Sequence, residues 1–454
     1  MLTTTANYPE APEVSMSLRD KRTTIRQYHT AGEIFRETTG PVASTTLAPA
    51  WVTAPLVWVT SPAGAHDVLT APRGTVDKAT RVIIEGRRIG GDNLFNLDDQ
   101  PWQPIRRALQ PVFTKHRVRT FGGDMSAAAS AFTSSCHGGA VVDLDQACRT
   151  VTLDALARTV LGCRLDDHDD LGRDIRIFVT TAADRGVRPI NLPYWLPTPT
   201  HRRTRAATTR LRARAREIVD RCVDDPDTDA PLVHALLAAP DPETGLPLTA
   251  EAITDQLVVF LAAGHDTTAT TLAYALWQLG RHPHLQERTR AEALACGNRD
   301  LTPDDVKALG YTVQVLHEAL RLCPPAPVVG RTAVEDLVVD GYRVPAGTSM
   351  IVGIYALHRD PELWERPLRF DPDRFRPEAM KSIDRWQYLP FGGGRRSCIG
   401  DHFAMLEATL ALATIVRDTE IDSHRDEFPI AVPFTAVAAE PVWATTRSAV
   451  GSDS

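Results

Sequence analysis

Cysteine pairs are what this chain most plainly lacks. It has seven cysteines, an odd number, and no two of them form a C-x-x-C pair. Neither a zinc knuckle nor a disulfide framework is therefore expected, and the chain reads as one from a reducing compartment. Long apolar runs are missing too. A membrane-crossing helix needs about 18 or more apolar residues. The nearest candidate, "LVVFLAAG" at 257–264, stops at His265 and Asp266. The first residues, "MLTTTANYPEAPEVSMSLRDKRTT", hold no apolar signal-peptide core. The expectation is a cytoplasmic protein without a membrane anchor. Positive charge is not in excess: the formal net charge is −7, which gives no reason to expect a nucleic-acid partner. Repeats and clean linkers are absent as well. Although 454 residues exceed the usual size of one domain, a single domain over 1–454 is expected. Residues 1–28 should be loosely ordered and 449–454 a disordered tail.

What is present is ordinary for a globular protein, 43% hydrophobic and 24% charged, with length enough for a large core. "LVWVTSPAGAHDVLTAP" (56–72) reads as a strand, a Ser-Pro turn and a short helix. "DDQPWQPIRRALQPVFT" (98–114) starts a helix, with acids first and proline early. The Pro-rich "RPINLPYWLPTPTHRR" (188–203) is expected to be a loop, and 210–225 a charged, exposed helix. Residues 249–280 form one long helix, apolar on most sides and therefore buried. Residues 302–324 read as a helix capped by Thr302 and stopped by Pro324. A hairpin and a turn follow over 337–361, and a last amphipathic helix over 400–418. The fold class is mainly α with small β-sheets.

The segment "FGGGRRSCIG" (391–400) carries the chemistry. A cysteine ligates metal as thiolate, a form favoured by amide donors, helix N-termini and positive charge. Cys398 stands just before the last helix. Three glycines let the backbone curl close, and Arg395 and Arg396 add charge. On this stretch alone, a glycine turn with a buried cysteine fits equally well.

Taken with its context, the segment resembles the haem-ligand loop of the cytochrome P450 family, F-x-x-G-x-[RH]-x-C-x-G. Phe391, Gly394, Arg396, Cys398 and Gly400 match it. Three further motifs match in the family's order. Glu318 and Arg321 form an E-x-x-R pair, with Arg374 in "RFDPDRF" as its partner. "AGHDTT" (263–268) lies in the long helix. Trp102 and Arg106 form W-x-x-x-R. The matching runs from about 56 to 435. One departure is the C-terminal stretch "FTAVAAEPVWATTR", which lacks the family's glycine-rich hairpin pattern.

The resemblance implies the cytochrome P450 fold, with the long central helix over a haem. Cys398 would be the thiolate ligand of iron, a ligand that favours O–O cleavage. Trp102, Arg106, Arg331 and Arg396 would meet the haem propionates, and Phe391, Gly394 and Gly400 would shape the ligand loop. Glu318, Arg321 and Arg374 would form a buried ion-pair core. Gly264 would leave room beside the haem, where the helix is distorted in the family. Thr267 would position oxygen, and Asp266 would relay protons. Absent a glycine requirement, Thr267 bonding back to a helix carbonyl is the plain alternative.

The implied reaction is monooxygenation by O₂ on haem b (iron protoporphyrin IX), with electrons ultimately from NAD(P)H. No flavin or ferredoxin segment is seen, so a separate ferredoxin and its reductase are expected as partners. Lys115 to Arg119, with Arg395 and Arg417, would form the basic docking face. The implied pocket includes Ile83, Ile84, Phe95, Trp195, Val259, Phe260, Ala263, Val328, Val329 and Phe434. It is mostly apolar, which points to a hydrophobic small molecule such as a terpenoid, with a fatty acid or polyketide as alternatives. Oxidative coupling, desaturation or rearrangement on the same scaffold is the other reading. Retention of Asp266 and Thr267 favours oxygen insertion.

Overall fold

Thr249 begins the longest element. Its side chain accepts from Ala252 N, and the helix it caps runs unbroken over Ala250–Arg281. The structure is a computed structural model that describes residues 5–17, 20, 24, 27–46, 55–134, 136, 139–164, 168–188 and 190–449. Among them are twelve helices of eight residues or more. The first six are α1 (Ala31–Thr38), α2 (Pro62–Thr70), α3 (Arg81–Gly90), α4 (Asp99–Leu109), α5 (Gly122–Thr133) and α6 (Leu144–Val160). Then follow α7 (His168–Val187), α8 (Pro199–Asp224), α9 (Ala250–Arg281), α10 (Pro283–Ala295), α11 (Gly310–Leu322) and α12 (Asp401–Asp418). Helix α9 is buried along most of its length, as its apolar surround requires, and packs on α6, α8, α11 and α12.

A five-stranded sheet lies beside the helices. Its strands are β1 (Val42–Thr45), β2 (Leu56–Val59), β3 (Val76–Asp77), β5 (Val329–Ala333) and β8 (Ser349–Val352). They run in the order β1-β2-β8-β5-β3, and only β2 and β8 are parallel, with Leu56 opposite Ser349. This sheet has its own apolar core of residues such as Val57, Val59, Val68 and Met350. Strand β4 (Ala140–Asp143) joins β9 (Thr419–Ser423) and β12 (Trp443–Ser448) in a second sheet. The expected hairpin is β6 (Leu337–Val339) with β7 (Tyr342–Val344), turning on Asp340 and Gly341, both at positive φ. The strand and helix expected over 56–72 are β2 and α2, where Ser61 accepts from Gly64 N.

Four expectations need correcting. The Pro-rich loop ends at Thr198, not 203, because the Thr198 side chain caps α8 by accepting from His201 N. Helix α8 is also not simply exposed: Leu211, Ala215, Ile218 and Cys222 bury one face. The helix expected over 302–324 is two pieces, a short turn Asp305–Lys307 and then α11. Leu309 leaves helical geometry between them. The carboxylate of Glu292 on α10 accepts from Tyr311 N and Thr312 N at 2.7 and 2.8 Å, fixing a new helix start. Thr302 instead donates to Asp305, which Arg299 also holds. Finally, residues 9–14, expected to be loose, run along the sheets. Arg343 N donates to Pro9 O and Val14 N to Ser44 O, both at 2.8 Å. The remaining expectations for 1–28 fall in part, and those for 449–454 almost wholly, outside the described residues.

The C-terminal stretch forms its hairpin without glycine. β10 (Ile430–Ala431) pairs antiparallel with β11 (Val437–Ala438), and Val432, Pro433 and Phe434 of its tip face the main cavity.

Candidate active site

A cavity of about 1310 Å³ lies between α9, the ligand loop, α3, α7 and β5, larger than the usual ~300–1,000 Å³ of a small-ligand pocket. Cys398 is in its wall. Among the seven cysteines it is the only exposed one; Cys296 is half-buried and the others are buried. Its loop is shaped by Gly392 and Gly394, at φ +69° and +67°. A Cβ on Gly394 would also lie 2.0 Å from Leu69 O, so this glycine serves the turn and its packing and does not line the cavity. Cys398 N donates to Phe391 O at 2.9 Å. Cys398 is exposed toward the cavity, whose surrounding protein still desolvates the thiol and pushes it up, while the Gly400 amide and Arg106 act to lower it. Phe391 and Gly400 line the cavity beside it.

One end of the cavity is rich in cations. Trp102, Arg106, Arg331 and Arg396 all line it. Arg396 donates to Asp99 Oδ1 at 3.0 Å and Leu97 O at 2.7 Å and stacks 4.1 Å over the Trp102 ring. Its Nη1 is buried without a partner. Arg331 is buried and donates to Gly330 O; burial and the charges of Arg396 and Arg395 push it down to about 10. Arg106 donates to Ser397 O at 3.0 Å, next to Cys398. The sequence reading missed Lys78, one of only five lysines in the chain. It lines the cavity, lies 3.9 Å over the Phe95 ring and donates to Phe95 O. Burial, Arg331 and Arg396 push its amine well below its ordinary range. Of these cations Arg396 pairs with an acid, Asp99, which it shares with Arg395. A dianionic ligand edge fits this surplus, as haem propionates would.

Helix α9 supplies Ala263, Gly264, Asp266 and Thr267 to the same cavity. Gly264 lines the cavity and also sits tightly against α6. A Cβ there would lie 2.9 Å from Leu156 Cδ2, so the glycine lets α6 approach α9. The helix is continuous through this segment. Thr267 Oγ1 donates to Ala263 O at 2.8 Å, the plain back-bonded arrangement. Asp266 is buried and accepts from Arg149 of α6, which also donates to Asp145 at 2.8 Å. Arg149 lies 117 positions from Asp266, and no local signal marks it. Next to it, burial lowers His265 to about 4.

The expected ion-pair core forms a closed unit. Arg321 donates twice to Glu318 at 2.7 Å and to the carbonyls of His358, Pro367 and Arg369. Every donor of the guanidinium therefore has an acceptor. Glu318 also accepts from Asp371 N at 2.9 Å and Arg374 Nε at 3.3 Å.

Of the expected pocket residues, Ile83, Phe95, Val259, Phe260, Ala263, Val328, Val329 and Phe434 line the cavity. Phe95 and Phe434 meet edge to face at 5.7 Å. Ile84 and Trp195 do not line it. Both are exposed, because the α3 backbone turns Ile83 inward and its neighbour outward, and because the 188–198 loop directs Trp195 to solvent. Phe178, Val179 and Ala182 of α7 line the cavity and were missed, since their helical spacing reads as ordinary core.

Behind Cys398 a smaller hollow of about 310 Å³ is lined by Arg106, Thr114, Lys115 and His402. The proposed basic face around it is partly spent. Arg117 pairs with Asp229 and Arg119 with Asp304. Arg395 is held by Asp99 and Ala71 O. Arg417 is buried on Asp418 and Arg299 O, so it contributes to no surface.

The family comparison agrees with this geometry. The cytochrome P450 family profile matches residues 22–441. The chain is 36% identical to cyclooctatin synthase of Streptomyces melanosporofaciens over 75% of each chain. It is 33% identical to cyclooctat-9-en-7-ol 5-monooxygenase of the same organism, over 77% of this chain and 76% of that one. Pentalenene oxygenase of Streptomyces avermitilis is 30% identical over 81% of this chain and 82% of its own. No helix among the described residues is long and apolar enough to cross a membrane. With a cavity-facing cysteine in the matched loop and a match spanning most of its length, the chain belongs to the cytochrome P450 family.

Proposed function

We propose that this chain binds haem b through Cys398 and inserts oxygen into a C–H bond of a terpenoid. The observation that carries this is one cavity lined by the exposed cysteine, by a surplus of cations and by the Asp266–Thr267 segment, with mostly apolar walls between. Bound haem supplies the activation of O₂ at a thiolate-ligated iron. The chain's own groups do the rest. Lys78, Arg331 and Arg396 hold the propionates. Phe178, Val259, Phe260 and Phe434 exclude water and orient the apolar substrate. Asp266, poised by Arg149, hands protons toward the cavity, with Thr267 in the same turn.

The terpenoid assignment is supported by the apolar walls and by likeness to enzymes named for cyclooctatin and pentalenene. Electrons arrive from a separate partner, for which we propose a ferredoxin served by its reductase. We place the docking site at the second hollow beside Cys398, which Lys115 and His402 also line.

The test has two stages. Reduced protein with carbon monoxide should show a strongly red-shifted Soret band that Cys398→Ala abolishes. A band at the ordinary neutral-ligand position in folded wild type would remove the thiolate reading. Polycyclic terpenes and fatty acids are then compared by spin-state shift and by incorporation of label from ¹⁸O₂. Label in a fatty-acid product, and none in any terpenoid, would overturn the substrate class.

A further inference from the structure

No regular secondary structure runs through residues 91–97, between α3 and α4. The segment is nonetheless tied into a unit by its own side chains. Asn96 Oδ1 accepts from Asn93 N at 2.9 Å, and Asn93 Oδ1 accepts from Phe95 N at 3.1 Å and Asn96 N at 3.3 Å. The Asn96 amide donates to Gly91 O at 2.8 Å. Both asparagines are buried, and such bonds replace the ladder that a helix or strand would supply. Leu94 N is left over, and a buried N–H needs an acceptor. It donates to Gln256 Oε1 of α9 at 2.8 Å, and Gln256 Nε2 donates back to Asp92 O at 3.3 Å.

A second contact lies one turn earlier. Gly91 has φ +76°, and a Cβ there would run into the Asp255 carboxylate of α9. The segment is thus pressed on α9 at Gly91 and bonded to it at Asp92 and Leu94. Gln256 itself is 2% exposed and does not line the cavity, whereas Asn93, Leu94, Phe95 and Asn96 do. What the segment presents is Phe95. Its ring meets Phe434 edge to face and lies under the Lys78 amine, which also donates to Phe95 O. One aromatic ring therefore joins the apolar wall to the cation cluster, and a side chain behind the wall holds its backbone in place.

We propose that Gln256 is a positioning residue that sets the shape selectivity of the cavity. By holding residues 91–97 on α9 it fixes the Phe95 ring, so that a ligand with a broad apolar face is gripped and oriented there while a small one is not. A wall held to within a fraction of an ångström discriminates between shapes, and the same wall on a loose loop does not. The proposal rests on the haem reading for its probes, and it does not depend on which apolar compound is the substrate.

The test compares two iron ligands, imidazole and 4-phenylimidazole, titrated into the haem-loaded full-length protein and read by the Soret shift. Gln256→Met removes both bonds at nearly constant volume. It should lower the preference for 4-phenylimidazole by about tenfold, the scale of one lost aromatic contact, while imidazole binds within about twofold of wild type. Gln256→Glu, which can still accept from Leu94 N, should restore the preference to within about threefold. In a Phe95→Ala background the preference should already be low, and Gln256→Met should lower it no further, because both act through one ring. Gly91→Ala crowds the same segment off Asp255 with Gln256 intact, and it should lower the preference even where Gln256→Met fails to take up haem. An unchanged preference in Gln256→Met or Gly91→Ala, equal losses for both ligands, no rescue by Gln256→Glu, or a further fall in the Phe95→Ala background would overturn the proposal. The haem reading fails separately, in a wild type that gives no imidazole spectrum at all, and the proposal would fall with it.

Discussion

Two clusters of buried charge in this protein are built on opposite terms. Glu318, Arg321 and Arg374 are closed: both partners at the centre are wholly buried, and each donor of Arg321 finds an acceptor within the chain. Lys78, Arg331 and Arg396 are open. They repel one another, Arg396 keeps an unpartnered Nη1, and they face a cavity. A closed cluster is finished by folding and serves the fold. An open one is finished only by a ligand of opposite charge. The Asp145–Arg149–Asp266 group lies between, since Arg149 is divided between one structural acid and one that meets the cavity.

Breaking the closed cluster should have the largest effect. Glu318→Ala strands Arg321 without solvent, a change that costs about 3–5 kcal/mol. The loss should appear in urea unfolding and in failure to retain haem, and Arg321→Ala should behave alike. Near-wild-type stability in either variant would mean that the cluster is not closed. The middle cluster should respond differently. In Asp266→Asn, Arg149 keeps Asp145, so the fold should lose no more than about 1–2 kcal/mol. Turnover should fall about 100-fold, the scale of a lost proton-transfer group. Product formation set against the Soret spectrum separates the two effects. Equal losses in folding and turnover would make Asp266 structural.

The same contrast explains what was legible in the sequence. Glu318 with Arg321, and Phe391 through Gly400, are contiguous motifs whose chemistry is local, so the spacing shows them. Arg374 and Arg331 were legible because a second motif named them. Arg149 and Lys78 were not legible, because each is defined by a partner far along the chain. Trp195 and Ile84 were misplaced because apolar character does not tell which way a loop or a helix edge turns. Elements with strong periodicity, α9 and α12 above all, came through nearly to the residue. The break at Leu309 did not, because it is imposed by Glu292 from another helix.

The open cluster yields a prediction of opposite sign in the empty and loaded protein. Arg331 ionises less readily when folded, near 10 against an ordinary 12.5. A base depressed by folding costs stability at every pH below its folded value, and the cost fades as pH rises through that value. Arg331→Met should therefore stabilise the haem-free protein by up to about 3 kcal/mol at neutral pH. It should weaken haem retention at the same time, by about tenfold or more, the scale of one charge-assisted hydrogen bond. Urea midpoints of the haem-free chain and haem transfer to an acceptor protein measure the two halves. Destabilisation of the haem-free chain would show that Arg331 is already satisfied.

A lone buried acid gives the smallest effect and the sharpest sign. Glu407 on α12 is 2% exposed, its Oε1 has no partner among the described residues, and Thr268 is the neighbour that hydrogen-bonds it. No cation offsets its burial, which pushes its carboxyl well above the usual range. Burial therefore favours its neutral form, and Glu407→Gln puts a neutral group of like shape in its place. Stability should change by less than about 1 kcal/mol near pH 5. The folded chain holds this proton more tightly than the unfolded chain does. Wild type should thus lose stability as pH climbs above the ordinary carboxylate range, and Glu407→Gln should not. Paired urea midpoints would then diverge in favour of the variant as pH rises above the ordinary carboxylate range. A variant that falls behind as pH rises would mean that Glu407 is charged, and that a cation from outside the described contacts makes it a second closed site.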